Sequence, residues 1–232
     1  MGLSCVGVDL DVESGDLCEG SGELEEYFVV GRLNGPVSRL IGSLGFLKAM
    51  AGVHGDRRFF SDAASLFVAD VEKAARFARE RGFAGLAVAD DIAGSDGLFF
   101  SPEYFAGTVW PLYRQAAQTA RQMGLRTFFH SDGDTRKVID LLIKAGYDCI
   151  HPVDAAAGLN VFDLAKEFGR RVCFMGHIDI MGWTEEKIRA EIGAAEEAFR
   201  KGGLILGASC GISATTAAGR LDALYPGQGG RK

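Results

Sequence analysis

The stretch Phe128-Phe129-His130-Ser131-Asp132-Gly133-Asp134 decides how the chain folds. Two apolar residues lead into a histidine, an aspartate follows two positions on, and a glycine then permits a sharp turn. This reads as a strand, Arg126–His130, that ends on polar side chains before a helix begins. Working outward, five more runs repeat the pattern: Tyr27–Leu33, Ala84–Ala89, Tyr147–His151, Arg171–Gly176 and Leu204–Gly207. They are short, rich in Val, Ile and Phe, and apolar on both faces, as parallel strands covered by helices are. Leu3–Leu10 supplies a seventh candidate. Helical stripes lie between the strands: Phe105, Val109, Leu112, Ala116, Ala120 and Met123, and later Ile188, Ile192, Ala195 and Phe199. Ser101-Pro102-Glu103, and Thr184 ahead of Glu185 and Glu186, have the composition of helix starts. Gly124, Gly146 and Gly169 stand where helices should stop.

Alternation of strands and helices means a parallel sheet, either a barrel or a doubly wound layer. The polar residues favour the barrel. Asp90 and Asp91, then His130, Ser131 and Asp132, then His151, then His177 and Asp179, then Cys210 all follow strand ends. A barrel gathers those ends around one centre, whereas the outer strands of an open sheet lie far from its crevice. The expected fold is α/β, a (β/α)8 TIM-type barrel over residues 27–225. A poorly patterned segment, 1–26, precedes it, and a tail, 226–232, follows. Six clear strands and Leu3–Leu10 fall short of eight. The barrel is therefore expected to be incomplete or N-terminally shortened, closed by irregular segments, or completed by a second subunit in a homodimer.

Composition removes several classes of function. The formal net charge is −6 with no basic stripe, which argues against nucleic acid as a partner. No apolar run reaches the roughly 18 residues of a membrane helix. Met1–Asp16 lacks the basic and apolar regions of a signal peptide. Five cysteines without a CxxC pair argue against a disulfide framework and fit a reducing cytoplasm.

The strand-end residues suggest chemistry. His130 and Asp132, two apart on extended chain, point the same way and can share a metal ion or a substrate carboxylate. Cys210 leaves the last clear strand. A histidine, a carboxylate and a thiolate on a barrel rim would make a three-ligand zinc site with a fourth position open. The competing reading makes Asp132 a helix cap, His130 a rim histidine and Cys210 a buried thiol. Gly207, Ser209 and Gly211 also match a nucleophile elbow. Every histidine precedes Ser209, however, against the Ser–acid–His order of that class. Asp90 and Asp91 form a carboxylate pair suited to proton transfer or to holding a cation, or else one rim acid beside one cap acid. His177 and Asp179 repeat the His-x-Asp spacing. Asp90, Asp91, His177 and Asp179 are the candidate catalytic residues. His151 reads as structural, and His54 has no assigned role.

Together these segments resemble the uroporphyrinogen decarboxylase superfamily. Asn34-Gly35-Pro36 looks like its Gly-Pro turn. Ala89-Asp90-Asp91-Ile92-Ala93-Gly94, followed by Leu98-Phe99-Phe100-Ser101-Pro102-Glu103-Tyr104-Phe105, looks like its strand, loop and Ser-Pro helix start. Phe129-His130-Ser131-Asp132-Gly133 and Gly176-His177-Ile178-Asp179 match two more blocks, the second usually Gly-Asn-x-Asp. The decarboxylase itself grips porphyrinogen carboxylates with an N-terminal Arg-rich segment and uses a tyrosine after the Gly-Pro turn. Nothing like the former precedes Tyr27, and Gly42 aligns with the latter, so the resemblance points to the corrinoid-linked methyltransferase branch. Members of that branch acting on coenzyme M hold zinc with His-x-Cys and a distant third Cys. Here the pattern is His130-x-Asp132, with Cys210 in the place of the last ligand, which implies a harder site suited to oxygen or nitrogen substrates. The resemblance thus implies a zinc-dependent methyltransferase moving a methyl group between a small donor or acceptor and a corrinoid protein. The alternatives are a metal-free, decarboxylase-like lyase and a non-catalytic barrel homologue.

Overall fold

The computed structural model describes residues 5–10, 27–55, 57–209, 211–213 and 216–226. The elements run β1 (Cys5–Asp9), β2 (Phe28–Asn34), α1 (Pro36–Leu44), α2 (Phe46–Gly55) and α3 (Arg57–Glu80). Next come β3 (Gly85–Ala89), a small hairpin of β4 (Ala93–Gly94) and β5 (Gly97–Leu98), α4 (Pro102–Tyr104) and α5 (Trp110–Gln122). Then follow β6 (Arg126–His130), α6 (Ile139–Ala145), β7 (Cys149–Val153), α7 (Val161–Phe168), β8 (Cys173–Ile178), α8 (Glu185–Ala198), β9 (Leu204–Ala208) and α9 (Ala218–Leu224).

Among the described residues seven strands form one sheet in the order β1-β2-β3-β6-β7-β8-β9, every pair parallel. The architecture is mixed α/β with a parallel half-barrel, an incomplete TIM-type barrel whose edges are β1 and β9. All seven strands expected from the sequence are present, and β6 has the expected bounds. The hairpin of β4 and β5 is an addition, too short to carry a hydrophobic pattern. The N-terminal segment lies outside the described residues except for 5–10, and the tail lies outside them except for Pro226. No helix among the described residues is long and apolar enough to cross a membrane.

The strands alternate as their sequences require. Leu86, Val88, Phe129, Ile150 and Phe174 face the helices and join the main core, with α3 and α5 against them. Val30, Ala87, Phe128, Cys149, Cys173, Met175 and Ile205 face the other way and form a separate cluster inside the half-barrel. Phe129 anchors β6, its ring 4.9 Å from Tyr113 and 5.3 Å from Tyr147. The Ser101 hydroxyl accepts from Tyr104 N–H, and the Thr184 hydroxyl from Lys187 N–H, so both expected helix caps form. Between α4 and α5 the helix widens to a π turn over Phe105–Val109. Pro111, at the start of α5, lacks the N–H that a regular ladder would need there.

Candidate metal centre

Period-two alternation places the site. Phe128 faces the interior, so His130 does too, and Cys149 does the same for His151. The two histidines are register partners across β6 and β7. Their rings stack 26° from parallel at 4.9 Å, with Nδ1 to Nδ1 at 2.7 Å. His130 Nε2 turns toward the rim, 3.8 Å from Asp91 Oδ1 and 4.0 Å from Asp132 Oδ1. One donor atom from each of Asp91, His130 and Asp132 lies within 4.8 Å of the others.

Backbone contacts fix these groups. Asp91 N–H donates to Ser38 Oγ at 2.8 Å, and Asp132 N–H donates to Asp91 Oδ1 at 3.1 Å. Ser131, buried, accepts from Ile92 N–H and donates to the Asp132 carbonyl. Gly133 N–H donates to Asp154 Oδ2 at 3.1 Å, tying the turn after β6 to the end of β7.

The electrostatics favour neutral imidazoles beside acids. Burial lowers the His130 pKa against the pull of Asp132 and Asp91, and the Arg32 charge lowers it further. His151 is pushed down to about 3, by burial first and then by His130 and Arg32. Burial raises the Asp132 pKa; His130 opposes that shift, while Asp91 and Asp154 add to it.

The other sequence candidates separate. Asp90, fully buried, faces the helices and accepts from Val37 N–H at 3.2 Å, Ser38 N–H at 2.5 Å and Tyr113 Oη at 2.6 Å. It secures the start of α1, where a Cβ on Gly35 would overlap its carboxyl. Burial raises its pKa to about 6 despite those bonds. Asp91 is thus the rim acid and Asp90 the cap acid. His177 should share the interior face with Met175, two residues before it. Positive φ at Gly176 (105°) and His177 (86°) breaks the alternation. The His177 ring lies instead between Phe162 and Trp183, with Nε2 3.1 Å from Glu191 in the helix layer. Asp179 Oδ1 accepts from the N–H groups of Met181 and Gly182, closing a turn. Cys210 lies outside the described residues. Sequence reading set His151 aside; its one available signal was that it ends the strand next to the one His130 ends.

A family model described as uroporphyrinogen decarboxylase (URO-D) matches residues 25–225. The chain belongs to this family. No curated protein matches the sequence. Among solved structures, a methyltransferase from Methanosarcina mazei superposes with TM-score 0.68 at 21% identity, covering 86% of this chain and 58% of that one. A sugar phosphate isomerase/epimerase from Parabacteroides distasonis ATCC 8503 reaches TM-score 0.55 at 9% identity, covering 95% of this chain and 82% of that one. A mannanase from Bacillus subtilis also reaches 0.55, at 13% identity, covering 97% and 76%. At such identities the likenesses concern the fold. This URO-D family chain spans little more than half the length of the methyltransferase it matches.

The resemblance implies zinc for this URO-D family member, and the donor atoms fit a divalent ion. Zinc–ligand bonds of about 2.0–2.2 Å hold ligand atoms roughly 3–4 Å apart, close to the spacing around His130 Nε2. A 2.7 Å contact between ring nitrogens carries one proton. With that proton on His130 Nδ1 and His151 Nδ1 accepting it, His130 Nε2 presents a lone pair on the side of the two carboxylates, because the hydrogen bond to His151 fixes the tautomer. One imidazole and two carboxylates suit zinc and comparable divalent ions.

Proposed function

We propose that this chain is a metal-dependent methyltransferase of the uroporphyrinogen decarboxylase family, moving a methyl group between a small molecule and a corrinoid protein docked at the rim. The observation that carries the reading is the meeting of Asp91, His130 and Asp132 at the C-terminal ends of β3 and β6. Catalysis belongs at that end of such a barrel. Family membership and likeness to the Methanosarcina mazei methyltransferase support the class. The barrel in this reading is of the (β/α)8 type, incomplete or N-terminally shortened, and the described residues supply seven of its parallel strands.

Asp91, His130 and Asp132 are the proposed ligands, with Cys210 the alternative third ligand that the sequence pattern assigns. A divalent ion held there would act as a Lewis acid on a substrate heteroatom. His151 holds the His130 ring and its tautomer. In this reading Asp90 positions α1, and His177 and Asp179 shape the loop after β8.

Metal analysis of the purified chain tests the proposal. We expect about one zinc or similar divalent ion per chain, lost in His130→Ala and in Asp91→Ala and retained in Cys210→Ala. Loss in Cys210→Ala with retention in Asp91→Ala would install the thiolate set. A wild-type chain that takes up no added zinc, cobalt or manganese would end the metal-dependent reading. Release of CO₂ from a small acid by that metal-free chain would put a decarboxylase in its place.

A further inference from the structure

The interior of the half-barrel has a second end. At the N-terminal ends of the strands, away from Asp91, His130 and Asp132, a cavity of about 450 Å³ opens. Phe28, Phe128 and Ile205 give it an apolar wall, and Cys149 and Cys173 complete that wall. These cysteines are the first residues of β7 and β8 and are register partners on one face of the sheet. Neighbouring strands lie about 4.8 Å apart, inside the roughly 4.4–6.8 Å between Cα atoms that a disulfide spans. Cys149 is buried and Cys173 partly open to the cavity. A hydrogen bond with the Cys149 thiol lowers the Cys173 pKa, against the opposing effect of burial.

The mouth of the cavity is cationic. Arg126, Arg170, Arg171 and Lys201 line it, with Asp148 the single acid among the lining residues. Arg171 is engaged by Asp140, and Arg126 lies 3.8 Å from Asp148. Arg170 and Lys201 are exposed, leaving positive charge for a ligand.

We propose that Cys149 and Cys173 form a redox-active dithiol whose oxidant is a small disulfide bearing carboxylates, admitted through this cationic mouth. The Cys173 thiolate attacks one sulfur of the disulfide, forming a mixed disulfide and expelling the first thiolate. Cys149 gives its proton to solvent, and its thiolate attacks the Cys173 sulfur, expelling the second. The protein loses two electrons and two protons, and the small disulfide is reduced to two thiols. Cys173 attacks first because it is the more accessible thiol and its own pKa is lowered. The new bond would staple β7 to β8 at the end opposite His151. This site is independent of the proposed methyl transfer.

Glutathione disulfide, added to the reduced full-length chain without oxygen, tests the step. After quenching by alkylation, peptide mapping should find Cys149 joined to Cys173, two hydrogens lighter than the dithiol. Cys149→Ser should stop at a glutathionyl adduct on Cys173, and Cys173→Ser should leave Cys149 alkylatable. Both thiols remaining alkylatable at equilibrium, or crosslinks only to other cysteines, would overturn the dithiol. For the anionic ligand, the rate ratio of glutathione disulfide to uncharged hydroxyethyl disulfide should exceed that of the unfolded chain by about tenfold at low salt. The excess should vanish in 1 M salt and in an Arg170→Gln, Lys201→Gln double variant. Equal ratios in folded and unfolded chain would overturn the carboxylate assignment.

Discussion

The two ring nitrogens of His130 stand in different surroundings. Nδ1 has a neutral imidazole partner at 2.7 Å, while Nε2 faces two carboxylates at 3.8 and 4.0 Å without a hydrogen bond to either. That asymmetry makes His151 a positioning residue in the proposed metal centre. His151→Phe keeps the ring stack and removes the acceptor. We expect metal affinity to fall by about 10–100-fold, the usual cost of losing such a partner, with partial recovery in His151→Gln, whose amide oxygen can accept the bond. Nitrogen-15 NMR of the wild-type imidazoles should find the His130 proton on Nδ1 in the metal-loaded chain. Equal affinity in His151→Phe and wild type would remove His151 from this role while leaving the metal site standing.

At the level of elements, the turn after β6 aims Asp132. Gly133 has φ 86°, and a Cβ there would come within 2.6–2.7 Å of the backbone of Ala93 and Gly94, the two residues of β4 in the hairpin. Backbone cannot yield as a flexible side chain can, so Gly133→Ala must displace the turn or the hairpin. We expect a loss of about 2 kcal/mol in denaturant unfolding, within the range of such strain, with weaker metal binding because Asp132 moves with the turn. Unchanged stability and affinity would mean that the hairpin gives way freely. The end of β8 shows the same backbone effect with another outcome: left-handed φ at Gly176 and His177 turns an interior position into a helix-layer one.

For the whole molecule, two titratable groups, the half-buried His151 and the fully buried Asp90, bend the stability curve in opposite directions. His151 drops from an ordinary 6.5 to about 3, so between those values the unfolded chain binds a proton that the folded chain refuses. Acidification through that window therefore destabilises. Asp90 rises from 3.8 to about 6, so the folded chain takes its proton first, and acidification between 6 and about 4 stabilises. The two nearly cancel over their shared window in wild type. His151→Gln should uncover the Asp90 contribution: relative to wild type, its unfolding free energy should climb as pH falls from 6.5 to 4. Asp90→Asn should do the reverse and steepen the acid loss. Parallel pH profiles for all three proteins would contradict the desolvation of both groups.

Much of this was legible in residue pattern. Apolar runs such as Phe128-Phe129, buried on both sides, specify parallel strands of a barrel, where helices cover one face and the barrel interior the other. Ser101-Pro102 and Thr184 marked helix starts because their hydroxyls satisfy local N–H groups. His130 and Asp132 were marked by local two-residue spacing at a strand end. Tertiary structure decided what depends on register and on single dihedrals. It brought His151 against His130 across two strands, brought Asp91 from β3 to the same point, and sent Asp90 to cap α1. It also turned His177 into the helix layer through φ angles that residue type alone does not set. Local sequence determines periodicity and capping; which side chains meet depends on pairing between distant segments, and that exists only once the sheet has formed.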